Sequence, residues 1–160
     1  MSRERADRRL VLRALATLSV GAWSLPALGA SEPLAVVVAA DSRQRNLSSD
    51  KLRRIFLALP TDSDDGRRFQ PINLAPGSAA RTRFDRVVLN MSPEEVARYW
   101  IDQRLRGNKP PRTAATVEIC RGAVQELPGA ISYLPLSQIG GLRVLTIDGR
   151  APHEASYPLK

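Results

Sequence analysis

The segment Leu34–Ala40, LAVVVAA, is apolar without interruption and rich in valine. A strand of that kind has no polar face to give to water. It suits a sheet that is covered, as in α/β proteins, and not a sheet with one wet side. The rest of the chain supplies the cover. DSRQRN is a polar loop, and KLRRIFLAL follows it with helical spacing. Ser48 or Ser49 can cap this helix, Leu52, Ile55, Phe56 and Leu59 form its inner face, and Pro60 stops it. TDSDDGRR is a turn-rich surface loop.

Phe69–Leu74, FQPINL, is a second strand, with Pro71 placing it at a strand start or a sheet edge. Pro76–Gly77–Ser78 then turns into a helix capped by Ser78, with Ala80, Phe84, Val87 and Val88 on its buried face. Asn90–Met91 breaks this run. Ser92–Pro93–Glu94–Glu95 starts another helix with a cap, a proline at the first position and a glutamate that closes the box. Val96, Tyr99, Trp100 and Leu105 face inward on it, and GNKPP is a rigid loop. A further helix covers about 115–127 and ends at Pro128–Gly129. Ala130–Leu134 and Arg143–Ile147 are strands, with a turn at Gly140–Gly141. The order is βαβααα and then ββ. It implies an α/β sandwich, one mixed sheet with helices on its faces.

Residues 1–29 read as an export signal and 30–160 as one domain. Arg3, Arg5, Arg8 and Arg9 form a basic start, and a mostly apolar stretch runs from Leu10 to Ala30. Ala27 and Gly29 allow cleavage after Gly29. DRRLVLR resembles a twin-arginine signal, and an ordinary secretory signal fits as well. The uncharged run Ala14–Ser31 is short for a spanning helix and contains Pro26, so no stable membrane span is expected after processing. The expected location is the periplasm.

The chain carries 24 Lys+Arg and 16 Asp+Glu, a net charge of +8. Residues 1–29 hold five arginines and two acids, which leaves 19 against 14, or +5, on the remaining 131 residues. Such an excess invites an anionic partner. Arg53–Arg54, Arg67–Arg68, Arg81, Arg83 and Arg86 lack the aromatics that a nucleic-acid surface uses, so no nucleic acid is expected. One Cys and one His leave no basis for a zinc site, a Cys/His catalytic pair or an intrachain disulfide. Cys120 shares a helical stripe with Val117, Val124 and Leu127 and is expected in the core. Asp62, Asp64 and Asp65 lack calcium-loop spacing and read as a solvated turn. Ser78 has no base placed beside it, because His153 lies in a polar tail. Neither an enzyme nor a cofactor is expected.

The segment best suited to bind something is PGSAARTRF. A glycine, a serine cap and a helix start directly after a strand expose backbone N–H groups, and the helix dipole favours negative charge there. Ser78 can add a hydroxyl, the Ala79 and Ala80 amides are open, and Arg81 or Arg83 can supply a guanidinium fork. Ordinary helix capping is the competing account of the same residues.

LAVVVAADS, LSSDKLRRIFLA, FQPINLAPGSAARTRF and LPGAISYLP together resemble, in order, the phosphate-binding, periplasmic substrate-binding proteins of ABC transporters. The resemblance runs from about Leu34 to Ile147. It implies a single lobe of a type II periplasmic-binding-protein-like fold, with a mixed sheet flanked by helices. It implies a loop in which serine, glycine and threonine bind phosphate. Ser78 matches that serine, Ala79 and Ala80 replace the glycine and threonine, and Leu74 stands near the family's arginine. Ala58 stands where glycine is usual, Ser132 replaces another glycine, and the usual tryptophan after the first helix is absent. The family has two lobes that close on the anion. With one lobe the ligand stays wet, and its contacts are worth less. The expectation is weak binding of phosphate or another small oxyanion by Ser78, Ala79, Ala80 and Arg81, for transport or sensing, with a permease or sensor kinase as partner. The alternative is a degenerate lobe that serves as a protein-interaction module in the cell envelope.

Overall fold

A computed structural model of the chain describes residues 32–64 and 66–160. The expected signal at 1–29 lies outside the described residues, which fall within one compact unit, Ser31–Lys160.

The elements run β1 (Leu34–Val38), β2 (Asn46–Leu47), α1 (Ser49–Phe56), β3 (Gln70–Leu74), α2 (Ala79–Phe84), a π-helical turn (Asp85–Leu89), α3 (Pro93–Leu105), β4 (Arg112–Ala114), α4 (Val117–Glu126), β5 (Ala130–Pro135), β6 (Arg143–Val144) and β7 (Thr146–Ile147). Five strands form one mixed sheet in the order β4-β3-β5-β1-β6. β3 is parallel to both β4 and β5, and β1 is antiparallel to both β5 and β6. β2 and β7 make a separate parallel ribbon.

All five residues of β1 are buried, as their apolar run requires. Alternation along β5 sorts the helices onto two faces. Tyr133 meets Phe84 of α2 in a stacked pair, 3.7 Å between centroids, and Phe56 of α1 at 5.6 Å. Ser132, one residue earlier, meets Cys120 of α4 on the other side. Cys120 is fully buried, in agreement with its stripe, and burial holds its thiol pKa above the ordinary value. The Ser132 hydroxyl donates to Ile72 O at 2.7 Å, so it costs the core no unpaired group.

Several expectations need correction. Of the two places that Pro71 allows, the strand start is the observed one, and β3 is an interior strand of the sheet. Pro71 is tolerated because it lies in the part of β3 that pairs only with β5, and β4 joins at Ile72. β2 and β4 are too short to carry a periodic signal. Arg143–Ile147 splits between two sheets, because Leu145 turns inward and donates its N–H to Val36 O. Leu59 is exposed because α1 ends at Phe56, ahead of Pro60. The ending is a Schellman motif, with Leu59 N–H on Arg54 O and Ala58 N–H on Ile55 O. Ala58 takes the left-handed φ of 56° that the motif demands, which explains why glycine suits this position. Val87 is exposed because the π-helical turn shifts the register, so that Leu89 is buried instead. Leu105, 83% exposed, lies in the last turn of α3, beyond the part of the helix that reaches the core.

Candidate functional site

β3 delivers the chain to a tight turn. Pro76 presets one corner, Gly77 takes a φ of +81°, and Ser78 N–H closes the turn on Ala75 O at 3.2 Å. Ser78 is therefore held in extended geometry as the cap of α2, and its Oγ accepts from Arg81 N–H at 3.3 Å. The Ala79 and Ala80 amides are the first two of the helix and have no hydrogen-bond partner among the described residues. Ala79 is exposed and Ala80 half-buried.

The two arginines go elsewhere. Arg83 donates to the backbone oxygens of Glu32 and Leu159, so it ties α2 to both ends of the described chain. Arg81 is turned one helical turn onward, where its Nε donates to Asp85 Oδ2 at 2.6 Å. Both side chains are at least nine-tenths buried, 10% and 5% exposed. The fold thus gathers Ser78 and the Ala79 and Ala80 amides at the helix start and sends the Arg81 guanidinium toward Asp85.

Burial raises the Asp85 pKa, and the hydrogen bond and charge of Arg81 pull against it. Asp85 Oδ1 is buried without a partner. Beside this pair, Tyr133 Oη donates to Asn73 Oδ1 at 3.3 Å, and burial holds the phenol above its ordinary range. Arg81, Asp85 and Asn73 line a cavity of about 360 Å³, walled by α3 and by the segment leading into β4.

The other candidates separate from this site. Asp62 pairs its backbone with Arg68, and Asp64 lies 3.8 Å from Lys51. Asp65 is outside the described residues. Among the described residues no group of three or more His, Cys, Asp or Glu gathers to hold a metal. His153 is exposed in the C-terminal turns. Among the described residues no helix is long and apolar enough to cross a membrane.

Comparison with solved structures settles the architecture. The structure of PstS from Borrelia burgdorferi superposes with a TM-score of 0.63 at 14% identity, covering 80% of this chain and 54% of its own. An ABC-type phosphate transport receptor of Vibrio cholerae gives 0.61 at 13%, covering 76% and 48%. A Clostridium perfringens protein assigned as a phosphate ABC transporter substrate-binding protein, solved with bound phosphate, gives 0.62 at 15%, covering 76% and 47%. The chain has the fold of one lobe of a type II periplasmic-binding-protein-like domain. It spans about half the length of these structures. No family model matches the chain, and no curated protein matches it significantly.

For this lobe, sequence reasoning misses Asp85 and the cavity. The available signal was the spacing of Arg81 and Asp85, four apart on one helix face and of opposite charge. The cavity itself depends on α3 and on the 107–111 connection meeting α2, which no local pattern encodes.

Proposed function

We propose that this chain is an exported solute-binding-like domain that takes phosphate or a similar small oxyanion at the start of α2. The observation that carries the reading is the pair of unpartnered amides at Ala79 and Ala80, on a capped helix start that follows a parallel strand. Such amides and the helix dipole favour an anion. The Ser78 hydroxyl accepts from Arg81 N–H and keeps its own proton to donate. Arg81 acts at longer range, with its charge partly offset by Asp85. The names of the Clostridium perfringens and Vibrio cholerae structures, which speak of phosphate transport, support the same ligand class. Binding is weak on this account, because contacts on one wet face are worth about 1 kcal/mol each.

Isothermal titration of the full chain with phosphate, sulfate and acetate tests the reading. Saturable phosphate binding that weakens in the Ser78→Ala, Arg81→Ala double variant supports it. Absence of saturation at millimolar anion defeats it.

A second reading, a lobe that acts as a protein-interaction module in the cell envelope, draws on Ile101 and Leu105, which are 61% and 83% exposed on α3. It predicts recovery of an envelope partner that is lost on Ile101→Ser with Leu105→Ser and indifferent to the Ser78 and Arg81 substitutions.

A further inference from the structure

We propose that the cavity between α2, α3 and β4 is a second binding site, for an organic carboxylate with an apolar body. The site does not include the Ala79 and Ala80 amides, so it stands whether or not phosphate binds there. Its volume, about 360 Å³, lies in the range of small-molecule sites and far exceeds what an inorganic oxyanion fills. Its walls are largely apolar, with Val96, Trp100 and Pro110 among them, which suits a hydrocarbon or ring and leaves a bare oxyanion poorly solvated.

The polar end of the cavity is built around Arg81. A guanidinium has five N–H donors in a fixed plane. Nε is committed to Asp85 Oδ2, which fixes the plane, and the Nη groups have no hydrogen-bond partner among the described residues. The open edge of that plane matches the two oxygens of a carboxylate. The guanidinium stem is nine-tenths buried and held by Asp85, while the Nη donors are not among the buried unpartnered atoms, so they face the open cavity ready for an anion. Asn73 and Thr113 add polar groups beside it, and Arg104 adds a second cation that outweighs Asp85. The expected ligand therefore places its carboxylate on Arg81 and its apolar body against Trp100.

The test is calorimetric titration of the full chain with phenylacetate, and separately with inorganic phosphate. Phenylacetate is expected to bind saturably. Arg81→Lys keeps the charge but loses the planar fork, and it is expected to weaken phenylacetate binding about tenfold. Ala97→Phe adds a ring to the cavity wall from an exposed helix position, and it is expected to abolish phenylacetate binding while leaving the phosphate titration as it was. Ala97→Phe decides the matter alone if Arg81→Lys does not fold. The proposal is overturned by a lack of saturable phenylacetate binding, by binding that survives Ala97→Phe, or by binding unchanged in folded Arg81→Lys. Phosphate binding without phenylacetate binding sinks the cavity proposal only, and the converse sinks the helix-start reading only.

Discussion

Arg81 and Asp85 form a buried ion pair along one face of α2, closed by a single 2.6 Å hydrogen bond from Nε to Oδ2. The pair leaves one carboxylate oxygen unpartnered, and burial outweighs the pull of Arg81 on the Asp85 pKa, which is raised. A raised carboxylate pKa means that the folded state holds its proton more tightly than the unfolded state. The contribution to stability is then fully present below the unfolded pKa and is lost as pH rises through the folded pKa. Asp85→Asn keeps an acceptor for Arg81 and carries no buried charge, so it is expected to be near neutral at pH 7 and to remove this slope. Asp85→Ala leaves Arg81 without its partner and is expected to cost about 3 kcal/mol. Urea unfolding of the three proteins across pH distinguishes these outcomes.

Ala58 occupies the left-handed position of the Schellman ending of α1. A Cβ there costs about 1–2 kcal/mol, and glycine gives back about 0.5–1 kcal/mol through its greater freedom when unfolded. Ala58→Gly is therefore expected to stabilise the protein by about 0.5–1 kcal/mol, read as a rise in the thermal midpoint.

Cys120 is fully buried against Ser132 Oγ at 2.9 Å, with its thiol pKa raised by burial. Reaction needs the thiolate and access. The native protein is expected to resist labelling by a thiol reagent and to label quickly in denaturant. Fast native labelling would contradict the core assignment.

Asp148 accepts from both the hydroxyl and the N–H of Ser49, which lowers its pKa and ties β7 to the start of α1. A depressed carboxylate pKa contributes stability that is present above the unfolded pKa and lost as pH falls through the folded pKa. The group is exposed, so screening holds the effect below about 1 kcal/mol. Asp148→Asn is expected to flatten the acid side of the stability profile, measured by chemical unfolding between pH 6 and pH 3 (about one unit either side of the carboxylate range).

The continuous apolar run of β1, the Ser78 and Ser92 caps and the Pro76–Gly77 turn are legible in the sequence because each is decided by local chemistry. The helix of Ser92 has the full capping box, with Ser92 Oγ accepting from Glu95 N–H and Glu95 Oε2 accepting from Ser92 N–H. β4 is not legible, since three residues pair only because β3 already lies beside them. The direction of Arg81 is not legible either. A lone arginine after a serine cap can turn to the helix start or along the helix, and the buried Asp85 decides it. The cavity follows from that choice and from the docking of α3, where Tyr99 Oη donates to Leu57 O at the end of α1.

If the first amides of α2 meet the anion, residue-resolved amide NMR of the full chain during phosphate titration reads the contact at those two groups. Saturable shifts are expected to concentrate at the Ala79 and Ala80 amides, to be absent with equal concentrations of chloride and to weaken in Ser78→Ala. Ala79 and Ala80 cross-peaks that stay in place, or that drift equally with chloride, would contradict it.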